Sequence, residues 1–213
     1  VILLAGGHGG LQLFQNGSFK WGEGNFLVRS RQLFADKGLM AVVVDAPSDR
    51  LRAPFLNGFR QTEEHAADLK ATIAWARATA KVPVWLVGTS RGTQSAAYAA
   101  TVLQGADAPD GVVLTATILT DDKQRPVPAM PLEQIKVPVL VVHHQQDGCS
   151  YCAYSEIPNL MAKLTHTPRS HLITATGGKN QGDACAAFAH HGFNGLEADV
   201  VGQMADWILA PAR

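Results

Sequence analysis

Six short apolar runs rich in β-branched residues recur along this 213-residue chain: VILLA (1–5), MAVVVDA (40–46), VPVWLVG (82–88), GVVLTAT (111–117), VPVLVVHH (137–144) and SHLITATGG (170–178). Their hydrophobicity is largely continuous rather than alternating, which is the pattern of strands covered on both faces. Stretches of helical character separate them, at 26–37, 62–80, 90–103, 155–164 and 195–209. Regular strand–helix alternation predicts an α/β fold, a mostly parallel sheet with helices on both faces. The length suits a single domain spanning 1–213, since domains commonly run to about 50–250 residues. No repeat, low-complexity tract or flexible linker interrupts it. The Pro-containing segment DDKQRPVPAMPLEQIK (121–136) is the main irregular connection and is too short to form a large cap.

Charge narrows the partners. Lys plus Arg and Asp plus Glu both number 18, so no net field gathers nucleic acid or an anionic membrane surface. The apolar runs fall far short of the roughly 20 residues needed to span a bilayer. The sequence enters its first strand at Val1, so residues ahead of that strand are expected to be missing, and no signal peptide can be read.

The stretch Gly88-Thr89-Ser90-Arg91-Gly92 fits G-x-S-x-G, with a strand pattern before it and a helical pattern after it. A sharp strand-to-helix turn needs small neighbours and lifts the serine hydroxyl above the strand end, the setting of a nucleophile. The competing account is a Gly-rich helix entry with Ser90 as N-cap. A serine hydroxyl is a weak nucleophile until a positioned base takes its proton, so a histidine and an orienting carboxylate are required. Asp147 stands in the loop after VPVLVVHH, and His190 and His191 precede the last helix. Asp147 is the expected acid, although Asp-Gly pairs also form Asx-turns. Asp183 is its rival. His191, which opens HGF at the turn into the last helix, is the expected base. His190 is then expected to point elsewhere, and His143 and His144 to pack at a strand end.

AGGHGGL (5–11) follows the first strand, and backbone N–H groups from Gly9 or Gly10 are expected to join the amide of Arg91 in an oxyanion hole. The Arg91 side chain is expected to pair with an acidic loop residue. Arg29 or Asn25 could face substrate from the loop after the first strand, but these two, with Arg31, Ser48, Asp49 and Arg50, read as loop-tying groups and are left out of the site. No metal site is expected, because neither histidine pair has suitably spaced carboxylate or cysteine partners.

With GGHGG, GTSRG, Asp147 and HHGF in this order, the chain resembles the α/β-hydrolase superfamily over nearly its whole length. Within it, the short chain is similar to small esterases, dienelactone-hydrolase-like enzymes and polyester depolymerase-like hydrolases. The resemblance implies a single-domain α/β-hydrolase fold with Ser90 as nucleophile, His191 as base and Asp147 as acid. The oxyanion donors implied are Arg91 and the Gly9-Gly10 loop, the substrate a small ester or polyester, and no cofactor. Strands that usually precede VILLA in the superfamily are missing here, so a smaller sheet is expected. A peptidase or amidase could use the same three residues, and a catalytically silent binding protein of the same fold is the alternative from another class.

Three cysteines complete the reading. Cys149-x-x-Cys152 lacks the helix-opening context of a redox motif and the second pair of a zinc site, so a structural disulfide is expected. A Cys149–Cys185 bond, which would tie the acid's loop to the base's loop and leave Cys152 free, is expected; the alternative Cys152–Cys185 would tie the same loops, and Cys149–Cys152 would not. Either tie implies an oxidising location, periplasmic or outside the cell.

Overall fold

The computed structural model describes residues 1–210; positions 211–213 of the expected 1–213 domain lie outside the described residues. Each apolar run contains one strand: β1 Ile2–Leu4, β2 Val42–Val43, β3 Trp85–Thr89, β4 Gly111–Thr115, β5 Val139–His144 and β6 Ser170–Ala175. They form one sheet in the order β2-β1-β3-β4-β5-β6, and every pairing is parallel.

Both faces of this sheet are covered because successive strand side chains point opposite ways. Ile2, Leu4, Leu86, Val112, Val139 and Val141 enter one core with helices α3 (Glu63–Ala80) and α4 (Arg91–Val102). Their strand neighbours Leu3, Val87, Val113, Leu140 and Val142 enter another with α1 (Phe26–Arg29), α2 (Arg31–Asp36) and α6 (Glu197–Leu209). In α3 the buried stripe is Leu69, Ile73 and Ala76, at helical spacing, and Thr62 caps its start by accepting the N–H of His65 at 3.2 Å. Val200, Val201, Met204, Ala205 and Ile208 form the corresponding stripe of α6.

Two expected helices are shorter or broken. The stretch 26–37 divides at Ser30, whose φ of −92° and ψ of 1° lie in the bridge region. The change of direction there lets Phe26 and Leu27 of α1 and Phe34 of α2 bury on the same side of the sheet. The stretch 155–164 yields only α5, Ile157–Ala162, after a 3-10 turn at Tyr154–Glu156. Segment 121–136 holds two further 3-10 turns, and its Val127 and Leu132 are buried in the core beside α4 rather than raised as a lid. No helix among the described residues is long and apolar enough to cross a membrane.

Candidate active site

Ser90 lies between the end of β3 and the start of α4, with φ of 50° and ψ of −126°. L residues rarely adopt this backbone, which costs on the order of 1–3 kcal/mol and persists only when surroundings impose it. The two motif glycines are part of that imposition. A Cβ on Gly88 would stand 2.5 Å from the carbonyl oxygen of Gly92, and one on Gly92 would stand 2.0 Å from that of Leu4. Strand and helix therefore approach more closely than any side chain permits. The Ser90 N–H donates to Thr115 O at 3.0 Å, and the Ser90 carbonyl accepts from Thr93 N at 2.9 Å and Thr93 Oγ1 at 2.6 Å. Its hydroxyl makes no capping bond, so Ser90 does not serve as a side-chain N-cap. The residue instead lines a cavity of about 300 Å³.

His191 lines the same cavity from the 3-10 turn His190–Gly192. Its Nδ1 is 2.9 Å from Oδ2 of Asp147, and both side chains are buried. A carboxylate only accepts, so Nδ1 carries a proton, and in the neutral imidazole this tautomer leaves the lone pair on Nε2. The other Asp147 oxygen accepts the N–H of Cys149 at 2.9 Å. The Asx-turn and the histidine contact thus use different oxygens of one carboxylate, and the turn orients the group for the contact.

The other candidate histidines and the rival acid are occupied elsewhere. His143 Nε2 donates to Cys152 O at 2.7 Å, and burial pushes its pKa down although nearby Asp147 opposes the shift. His144 Nε2 donates to Gly177 O at 3.0 Å, while the His190 ring stacks on that of His144 with centroids 4.2 Å apart. Asp183 closes its own Asx-turn on the N–H of Cys185 at 2.8 Å. Arg29 pairs with Glu197 at 2.8 Å and donates to Gly192 O at 2.6 Å, which ties α1 to the His191 turn.

Cys149 and Cys185 are joined by a disulfide, and buried Cys152 is free. Ligand atoms of Cys149, Cys152 and His191 lie within 4.8 Å of one another. With the Cys149 sulfur in the disulfide, however, two groups remain, too few for a zinc site of ordinary composition.

The loop after β1 meets the cavity earlier than its sequence suggests. Gly6 and Gly7 line it; Gly9 and Gly10 do not. The Gly10 N–H donates to His8 Nδ1 at 3.1 Å, and Gly9 is pressed against Arg60 and Leu56, where a Cβ would come within 2.6 Å of either. The chain has already curled away from the strand end by that point. A Cβ on Gly6, by contrast, would lie 3.0 Å from Cβ of Ser90. Arg91 opens α4, so its N–H is among the first-turn donors with no intrahelical acceptor. Its guanidinium pairs with Asp121 and lies 5.2 Å from the Tyr151 ring centroid. Burial raises the Asp121 pKa, but the Lys123 N–H and Arg91 outweigh it and hold the carboxyl below its usual range.

Trp21 and Asn25 also line the cavity, a placement sequence reasoning did not find for Trp21 and set aside for Asn25. Trp21 packs its ring 4.1 Å from His8, and Asn25 caps α1 by accepting Leu27 N–H at 3.1 Å. A lone tryptophan between Lys20 and Gly22 was the available signal, but it carries no period that would place it.

No family model matches the chain, and no curated protein matches it by sequence. Solved structures do resemble it. A cold-adapted esterase from an Arctic intertidal metagenomic library shares 16% identity at a TM-score of 0.60, over 96% of this chain and 81% of its own. The esterase domain of a Rhodothermus marinus protein shares 13% at 0.58, over 97% and 84%. A protein of unknown function from Agrobacterium tumefaciens placed among the α/β hydrolases shares 17% at 0.59, over 97% and 82%. The chain has the α/β-hydrolase fold.

Proposed function

We propose that this protein is a serine hydrolase of carboxylic esters. In this reading Ser90 Oγ attacks the acyl carbon while Nε2 of His191 takes its proton, and Asp147 holds the imidazole in the required tautomer and stabilises its charged form. The developing oxyanion is met by the N–H of Arg91 and by the Gly6-Gly7 segment, in place of the Gly9 and Gly10 donors expected from sequence. His191 then protonates the departing alcohol, and water activated by the same imidazole hydrolyses the acyl-enzyme. The cavity, walled by Trp21 and Phe26 and about 300 Å³ in volume, suits a small, largely apolar acyl group. The esterases among its structural neighbours support an ester substrate over an amide. The Cys149–Cys185 bond supports an oxidising location, periplasmic or extracellular.

The observation that carries this reading is the strained turn at Ser90 opening onto the cavity that also receives the Asp147-bonded His191. Its test is Ser90→Ala assayed on p-nitrophenyl acetate and butyrate, with labelling by a fluorophosphonate probe. The wild type is expected to turn over and take the label, and the folded variant to do neither. A folded Ser90→Ala protein with wild-type turnover sinks the proposal.

A further inference from the structure

Arg60 is only 2% exposed and has no carboxylate within salt-bridge distance among the described residues. Burying a charge without a counter-ion is expensive, so its hydrogen bonds must be specific ones. One terminal nitrogen, Nη2, donates to Ala5 O at 3.0 Å and to Gly7 O at 3.1 Å; the other, Nη1, donates to Ser95 Oγ at 2.9 Å. Its Nε has no partner. Ser95 lies on α4 one turn beyond Arg91, and it also contacts Nε2 of buried His65 at 2.9 Å. With Arg60 donating to Ser95, the Ser95 proton is left for Nε2 of a neutral His65. Burial, then Arg60 and Arg50, push the pKa of that histidine down to about 4, so it adds no second charge near neutrality.

Arg60 therefore touches two elements at once. Ala5 and Gly7 flank Gly6 in the loop after β1, and Ser95 belongs to the helix whose first N–H is that of Arg91. Carbonyl and N–H point in opposite directions across a trans peptide. Turning the Ala5 and Gly7 carbonyls onto Arg60 thus turns the N–H groups of Gly6 and His8 away from it, and Gly6 borders Ser90. Building on the serine-hydrolase reading, we infer that Arg60 is a positioning residue that holds the two halves of the oxyanion hole, the Gly6-Gly7 segment and the N-terminus of α4, in one fixed geometry. Its charge also lies behind the peptide groups where negative charge develops. Burial and the neighbouring Arg91 push the Arg60 pKa down to about 9, which leaves it protonated at neutral pH.

No smaller side chain reproduces this fork: lysine keeps the charge but not the planar pair of donor nitrogens. The test compares Arg60→Lys, Arg60→Met and Ser95→Ala on p-nitrophenyl acetate, with kcat expressed per fluorophosphonate-reactive site and folding followed by circular dichroism. Arg60→Lys is expected to lower kcat by about 10- to 100-fold with KM changed less than about threefold, since losing or misplacing an oxyanion donor acts on the transition state. Arg60→Met should lose at least as much. Ser95→Ala, which cuts only the tie to α4, should lower kcat by roughly 3- to 10-fold. A folded Arg60→Lys protein with wild-type kcat per reactive site overturns the inference. So does a loss accounted for wholly by fewer reactive sites, the signature of a merely structural role. If neither Arg60 variant folds, an unchanged kcat in Ser95→Ala overturns it. Activity surviving in Ser90→Ala removes the hydrolase reading itself, whereas a silent Ser90→Ala beside a normal Arg60→Lys removes only the role of Arg60.

Discussion

The two sides of the candidate site are held by different means. On one side, Asp147 and His191 stand on loops after β5 and β6, and a covalent bond between Cys149 and Cys185 joins those loops. On the other, Ser90 and the Gly6-Gly7 segment are held without any covalent link, by glycines that permit close backbone approach and by hydrogen bonds from buried Arg60. The disulfide closes a span of 36 residues and acts chiefly by restricting the unfolded chain. The Arg60 network acts on the folded state alone, where it sets the directions of peptide groups. Damage to the first is therefore expected mainly in stability, and damage to the second mainly in turnover.

The sharpest break within the acid–base side is Asp147→Asn. An amide can donate to Nδ1 of His191 and so favour the wrong tautomer with little change in shape. A kcat lower by about 10³- to 10⁴-fold is expected on p-nitrophenyl acetate, with the melting temperature nearly unchanged. Retention of a tenth or more of the wild-type kcat would show that Asp147 does not orient the base.

Removing the disulfide with Cys149→Ser and Cys185→Ser should lower unfolding stability by about 3–4 kcal/mol, read from urea denaturation. Turnover at temperatures where the variant stays folded should fall only a few-fold, because Asp147 and His191 keep their own hydrogen bond. A large loss of kcat without loss of stability would reverse the contrast between the two sides.

The smallest expected effect belongs to the Arg60 side and depends on pH. His65 has its pKa lowered from 6.5 to about 4 in the folded protein, so between those values the unfolded chain binds the proton and the native state does not. Stability attributable to this group is therefore full above pH 6.5 and declines as pH falls toward 4, by up to about 3 kcal/mol. Burial lowers the pKa of His143 as well and adds a loss of the same sign on the other side. Urea denaturation from pH 7 to pH 4 should show a shallower decline in His65→Gln than in the wild type; parallel curves would mean that His65 titrates normally in the fold.

Much of this molecule is written in local pattern. Continuous apolar runs located all six strands, because a strand buried on both faces needs apolar side chains at successive positions. Ser90 stood out because its turn demands small residues two positions to either side, and Asp147 and His191 because each follows a recognisable strand or precedes a recognisable helix. The divided helix at Ser30 and the cavity-facing Trp21 left no such trace, since neither alters a period.

What only the tertiary structure decided rests on contacts between distant parts of the chain. Arg60 meets Ala5 across 55 positions, and His191 meets Asp147 across 44. That Gly6 and Gly7 line the cavity, and Gly9 and Gly10 do not, follows from where the loop packs Gly9 against Leu56 and Arg60. The Cys149–Cys185 pairing, by contrast, is the one expected from the sequence, and the fold adds that Cys149 and Cys152 are both buried, with Cys152 Sγ donating to Ala116 O at 3.4 Å. A sequence records which residues tolerate burial or a tight turn, because those demands act on neighbours along the chain. It does not record which of several equally suitable glycines or arginines the folded backbone brings to a given point, because that depends on the packing of all the elements together.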